Sequence, residues 1–289
     1  MTGYVATIGM FDGVHKGHQF VLRQVVAEAR RRGMQSLCIT FDHSPRQEQV
    51  LTPLEEKLKL IAETGIDHTE VLPFTAELKQ MTALMFMEQV LKQQLHVEVL
   101  LTGYDNRFGH HREEGFDDYV RYGKLLDIEV IGLPAEGTVS SSHIRRLLQD
   151  GLMEEAALCL GRPYALTGHV VHGQHIGTTL GYPTANLLPD ERCQLIPAAG
   201  VYAVQVTLPT SSFKGMMNIG TRPTFGQHAQ TLEVHLLDFQ GSLYNQRLTV
   251  SFVSRLREER RFESPEALKA QLQQDAIQAG ERVDEFRSL

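Results

Sequence analysis

The sequence predicts an α/β chain in two parts: a parallel sheet with helical crossovers, then antiparallel strands closed by a helix. Three observations predict it. Short apolar runs alternate with helical patterns through residues 4–160, as strands do when crossovers join them. From residue 168 onward, short strands follow one another with turn residues between them, as in an antiparallel barrel or sandwich. The length, 289 residues, is enough for two ordinary domains, each with its own core.

Each element has its own reason. Residues 4–8 are apolar and stop at Gly9. Val21, Leu22, Val25, Val26 and Ala29 share one helical face, and Gly33 ends that helix. Further strands are expected at 35–41, 70–72, 97–101 and 128–131. Further helices are expected at 54–62, 83–95, 117–126 and 152–160. Gly161-Arg162-Pro163 breaks the pattern, which divides the chain into domains 1–160 and 161–289. In the second domain strands are expected at 168–171, 201–206, 216–219, 232–237 and 248–253. Leu232, Val234 and Leu236 alternate with Glu233 and His235, the period of a half-buried strand. Ser264 and Pro265 suit the N-cap and first position of a closing helix, with Leu268 and Leu272 on one face.

Bulk properties exclude some function classes. Net charge is -7, from 28 basic and 35 acidic side chains, so there is no general attraction for nucleic acid or an anionic membrane. Arg30, Arg31 and Arg32 end a helix, where cations face the negative end of its dipole. Cys38, Cys159 and Cys193 are widely spaced and show no metal pattern. No run of 18 apolar residues occurs. A reducing cytoplasm is the expected compartment.

The loop at residues 9–18, Gly-Met-Phe-Asp-Gly-Val-His-Lys-Gly-His, joins the first strand to the first helix. His15 and His18 are three apart, so on an opening helical turn they point to one side. Gly13 and Gly17 let the backbone approach a ligand. The helix start adds free N–H groups and a positive dipole end. Such a donor array suits attack on a nucleoside triphosphate with pyrophosphate leaving. Histidines that merely decorate a turn, or a zinc site, are the alternatives. No third ligand with metal spacing lies nearby. Ser140, Ser141 and Ser142 precede a second helical run carrying Arg145, a cap or a second phosphate site.

The second domain carries Leu-Gly-Tyr-Pro-Thr-Ala-Asn-Leu at 180–187. Pro183 restricts the backbone. Thr184 and Asn186 are hard-oxygen side chains two apart, hence on one side of an extended segment. They suit Mg²⁺ and phosphate oxygens. Gly173, Gly177 and Gly181 precede them and permit a flap. Glu233 is a strand-borne carboxylate that could accept a hydroxyl proton. A solvated face residue, and turn residues at 184 and 186, are the alternatives.

These motifs resemble a family. The loop at 9–18 is similar to that of the Rossmann-like HxGH nucleotidyltransferases, within them the FMN adenylyltransferase domain of the bacterial bifunctional riboflavin kinase/FAD synthetases. Ser140 to Arg145 matches the family's Ser-Ser-Thr-x-Ile-Arg with Ser142 for threonine. The resemblance implies that His15 and His18 contact ATP phosphates, Ser141 and Arg145 hold the outer phosphates, and Gly9, Phe11, Asp12 and Gly17 line the ATP site. It implies FMN contacts from Asp42, Asp105 and Arg107. His43-Ser44 replaces the family's Pro-His pair, and Asn106 replaces an aromatic. The segments at 168–173, 183–186, 197–202, 218–224 and 232–235 resemble the riboflavin kinase module, a barrel. By that resemblance Gly173, Gly181, Pro183, Thr184 and Asn186 bind ATP, with Thr184 and Asn186 on Mg²⁺. Glu233 would deprotonate the 5′-hydroxyl of riboflavin, and Asn218, Thr221 and Arg222 would line the flavin cleft. Thr178 stands where the family often has arginine. The implied function is phosphorylation of riboflavin to FMN by the second domain, then adenylylation of FMN to FAD by the first. A kinase with an impaired adenylyl half and a non-catalytic flavin-binding protein are the alternatives.

Overall fold

A computed structural model of the chain describes residues 3–43, 49–103, 107–110, 114–134, 139–171, 181–224 and 227–288, without the side chains of 221–224 and 227–229. The chain divides into two compact units, Met1–Ser141 and Ser142–Leu289. The expected boundary at 160/161 falls after two helices of the second unit, α6 (Ser141–Asp150) and α7 (Met153–Leu160).

The first unit is built on five parallel strands in the order β3-β2-β1-β4-β5. These are β1 (Tyr4–Ile8), β2 (Gln35–Phe41), β3 (His68–Leu72), β4 (Val97–Gly103) and β5 (Glu129–Leu133). Alternate residues enter opposite layers. Val5, Cys38 and Val99 pack with Leu22, Val25 and Ala29 of α1 (Lys16–Arg32) and Ile61 of α2 (Leu54–Ala62). Ala6, Ile39 and Leu100 pack on the other face against Phe86, Leu91 and Tyr119. Burial pushes the Cys38 thiol well up, as for an inert core cysteine.

Gly33 closes α1 at φ 66°, donating to the carbonyls of Ala29 and Arg30. The arginines there do more than face the dipole. Arg31 and Arg32 both bond Glu28, and Arg32 reaches Glu129 on β5 at 2.7 and 2.9 Å. The helix expected at 83–95 is instead a short turn, α4 (Ala83–Met85), running into a π-helix, Phe86–Gln94. Its buried residues are Phe86, Met87, Val90 and Leu91. Adjacent pairs recurring every four positions fit a wider helix as well as an α-helix, so the pattern does not separate the two. A helix at α3 (Ala76–Gln80), capped by Thr75, was not expected; α5 (Phe116–Leu126) was.

The second unit is a closed barrel in the order β10-β7-β6-β11-β8-β9. Its strands are β6 (Ala165–Val171), β7 (Ala185–Pro189), β8 (Gly200–Thr207), β9 (Ser212–Thr224), β10 (Gln227–Leu236) and β11 (Arg247–Arg257). The sequence pattern locates five of them and reads β9 too short. Ser212 to Gly215 lack a clear strand pattern and hide the first part of β9, which pairs with β8 from Ser212 to Ile219. The closing helix α8 (Pro265–Arg287) starts at Ser264, whose hydroxyl accepts from Ala267 N–H at 3.2 Å. Ala279 and Val283 bury against Ala203, Met216 and Val253 of the barrel wall, with Leu272 beside them. Asp275, fully buried on α8, accepts from Arg257 Nε and Nη2 at 3.0 and 2.8 Å.

Candidate active sites

In the first unit the loop after β1 is bent hard. Phe11, Gly13 and Val14 have φ of 49°, 85° and 38°. A β-branched residue there is rare and strained, and such strain collects at functional loops. The loop is held from below. Gly9 N–H donates to Ile39 O at 3.0 Å, Val14 N–H to Phe11 O at 3.0 Å, and Thr40 Oγ1 to Met10 O at 3.2 Å.

His15 is the N-cap of α1: its Nδ1 accepts from His18 N–H at 3.3 Å. The proton of a neutral His15 therefore sits on Nε2. The two imidazoles stack with centroids 3.6 Å apart and planes 20° apart. Phe11 meets His18 edge-on at 5.2 Å. His18 Nδ1 is buried and has no hydrogen-bond partner among the described residues. Burial holds the His18 imidazole well below the usual histidine range, helped by repulsion from His15 and Lys57. A buried polar group without a partner is costly unless a ligand supplies one.

A cavity of about 370 Å³ opens beside this pair at the carboxyl ends of β1, β2 and β4. Gly9, Phe11 and His18 line it on one side; Phe41, Phe74, Phe86 and Phe108 give it an apolar wall, and Arg107 lies on its rim. Flat aromatic rings suit such a wall, and phosphates suit the helix start. A larger hollow of about 560 Å³ lies at the other end of the sheet, by Tyr4, His68 and His96. In open parallel sheets ligands bind at the carboxyl ends, so the smaller cavity is the candidate.

The other expected residues divide. Ser141 joins the loop, its hydroxyl donating to Asp12 O at 2.8 Å, and Arg145 lies one turn further along α6. The Asp12 carboxylate faces the protein: it accepts from Leu51 and Thr52 N–H at 2.9 and 3.2 Å. Asp12 therefore fixes the loop. Asp42 ends β2 and accepts from Phe74 N–H at 3.0 Å and His43 N–H at 2.8 Å. Burial raises its pKa, but those bonds and His43 outweigh it and hold the carboxyl below the usual range. Asp105, Asn106 and Ser44 lie outside the described residues.

In the second unit three polar residues form a row across adjacent strands. Glu233 on β10 sits directly opposite Asn186 on β7 and Asn218 on β9. Opposite residues of antiparallel strands point to the same face, about 5 Å apart. Thr184 Oγ1 donates to Glu233 Oε2 at 3.2 Å. So Thr184, Asn186, Asn218 and Glu233 converge. Their hydroxyl, amide and carboxylate oxygens are the donor set that Mg²⁺ takes. Gly181 precedes them at φ 86°. Gly173 and Thr178 lie outside the described residues, and so do the side chains of Thr221 and Arg222, whose backbone is in β9.

Two family models match the chain: FAD synthetase over residues 1–144 and riboflavin kinase over residues 160–283. The bifunctional riboflavin kinase/FMN adenylyltransferase of Escherichia coli strain K12 is 39% identical over 291 residues, 96% of this chain and 92% of that protein. That of Listeria monocytogenes is 35% identical over 283 residues, 94% and 90% of the two chains. This chain belongs to the bifunctional riboflavin kinase/FMN adenylyltransferase family. The enzyme thus uses ATP for both reactions. A crystal structure of a macrolide-efflux protein from Streptococcus pneumoniae matches with TM-score 0.87 at 30% identity, covering 95% and 93% of the two chains. That name stays with that protein. Among the described residues of this enzyme, no helix is long and apolar enough to cross a membrane.

One residue that sequence reasoning missed is Lys57, on α2. It is 5% exposed, and its Nζ donates to Phe41 O at 2.8 Å and Met10 O at 3.3 Å. Burial lowers its pKa, partly offset by Asp12 and other neighbours. Lys57 thus ties together the two strand ends on which the loop and Asp42 sit. A signal was present: Lys57 lies four before buried Ile61, on the inward stripe of its helix.

Proposed function

We propose the following division of labour. Residues 161–289 phosphorylate riboflavin, and residues 1–160 adenylylate the FMN formed, a division supported by the family matches at 160–283 and 1–144. One observation carries the kinase assignment: Glu233 lies between Asn186 and Asn218 with Thr184 bonded to it. Glu233 takes the proton of the riboflavin 5′-hydroxyl, whose oxygen attacks the γ-phosphorus of ATP as ADP leaves. Thr184 and Asn186 hold Mg²⁺ and the triphosphate. Mg²⁺, when bound, neutralises phosphate charge. Asn218, with Thr221 and Arg222, orients the flavin; Gly173, Gly181 and Pro183 shape the ATP flap.

In the first unit a phosphate oxygen of FMN attacks the α-phosphorus of ATP and pyrophosphate leaves. That oxygen is already anionic, so no base is needed. His15 and His18 donate to the phosphates, with Ser141 and Arg145 on the outer ones. Gly9, Phe11 and Gly17 shape the ATP site around the loop that Asp12 anchors. Asp42, Asp105 and Arg107 serve the FMN side. The unpartnered Nδ1 of His18 beside the cavity supports this reading.

The test resolves products over time from riboflavin, ATP and Mg²⁺. FMN forms first and FAD after it. His18→Ala stops FAD and leaves FMN formation. Glu233→Ala stops FMN formation while FAD still forms from supplied FMN. FAD synthesis that survives His18→Ala overturns the first assignment; FMN synthesis that survives Glu233→Ala overturns the second.

A further inference from the structure

The barrel closes with least backbone where β7 meets β10. Among the described residues two pairs face each other there, Glu233 with Asn186 and Val234 with Ala185. Strands β10 and β9, by contrast, stay in register from Gln227 to Leu236. The chain leading into β7 is Pro183-Thr184. Proline has no N–H, so the ladder cannot continue through a donor at that position.

Side chains of β10 carry the seam onward instead. Glu233 and His235, two apart, lie on one face of the strand. Glu233 accepts from Thr184. His235 Nδ1 lies 2.7 Å from Pro183 O. A carbonyl can only accept, so the imidazole donates and its Nδ1 carries the proton. The Tyr182 ring packs edge-on against His235, with centroids 5.3 Å apart. One strand therefore holds the base and grips the segment on both sides of Thr184.

We propose that His235 is a positioning residue for the kinase reaction. Its imidazole donates to the Pro183 carbonyl just before the last ladder pair of β7, tying that segment to β10, and it holds Thr184 and Asn186 in register with Glu233. The proposal rests on the reading that Thr184 and Asn186 hold Mg-ATP. In this role His235 touches no substrate.

The test uses the full chain with His235→Ala, His235→Asn and His235→Gln. An asparagine amide places its nitrogen where Nδ1 stands; a glutamine amide reaches past it. His235→Ala is expected to raise the KM for Mg-ATP in riboflavin phosphorylation about tenfold, the effect of one well-placed hydrogen bond. The KM for riboflavin should stay within about twofold, because no flavin contact is lost. His235→Asn should restore most of the Mg-ATP affinity and His235→Gln should not. If His235→Ala fails to fold, the Asn and Gln pair decides. Equal behaviour of that pair, or an equal rise in both KM values, overturns the proposal. Thr184→Ala separates the two layers of the argument. A wild-type KM for Mg-ATP in Thr184→Ala removes the underlying reading and this proposal with it. A raised KM there with a wild-type His235→Ala removes this proposal alone.

Discussion

Replacing Lys57 with methionine is expected to cripple FAD formation and to leave FMN formation intact. Methionine fills the space of the lysine stem but donates nothing. Met10 O keeps its bond from Thr40 Oγ1, whereas Phe41 O loses the 2.8 Å bond from an ammonium. A buried acceptor left without its donor costs about 1–3 kcal/mol. Relief from burying a charge offsets part of this, and the lowered pKa of Lys57 reflects that burial. The net loss is about 2 kcal/mol, which for a unit of this size lowers Tm by roughly 5–10 °C. The effect on rate should be larger. Met10 belongs to the loop that carries Phe11, Val14 and His15, and a shift of about 1 Å in such a loop costs on the order of a hundredfold. The assay follows FAD made from supplied FMN and ATP, with riboflavin phosphorylation by the same chain as control and thermal unfolding alongside. A lower Tm with a wild-type rate of FAD formation refutes the reasoning, because Lys57 would then support the fold and not the loop. Loss of both activities refutes it too, because the effect would not be confined to the first unit.

Two further outcomes follow from buried titratable groups. The His18 imidazole is held below its ordinary 6.5, first by burial, so below about pH 6.5 the unfolded chain binds a proton that the folded state refuses. This part of the stability of the first unit is complete above that pH and falls as the pH drops through it. Urea midpoints at about pH 7.5 and 5.5 should therefore differ less in His18→Gln than in the wild type, and an identical pH response counts against burial of a neutral ring. Asp275→Ala should destabilise the second unit by about 3 kcal/mol, since it strips Arg257 of a buried partner. Calorimetry reads this as a shift in the barrel transition, and no shift means that the pair contributes nothing net.

Much of this protein was legible in its sequence because the information was local. Apolar period, Gly33 as a helix end and Ser264-Pro265 as a helix start depend on neighbours a few residues away, and the structure has each of them. The spacing of His15 and His18 likewise brought two rings onto one helical turn. The limits were also physical. The π-helix at Phe86–Gln94 has a burial pattern that an α-helix can share. Ser212 to Gly215 read as a turn because strand pairing with β8, a contact distant in sequence, supplies their order.

By itself, then, the sequence determined the two-part architecture and named the candidate residues of both sites, because motif chemistry and periodicity reside in short stretches of chain. Tertiary structure alone decided which groups meet. Lys57 became a clamp only when α2 packed its inward stripe under the ends of β1 and β2. The Asp12 carboxylate met the amides of Leu51 and Thr52, some forty residues away. Glu233 met Asn186 and Asn218 because three strands closed in one register. These partners are far apart in the chain, and packing brings them together where backbone and buried polar groups must all be satisfied.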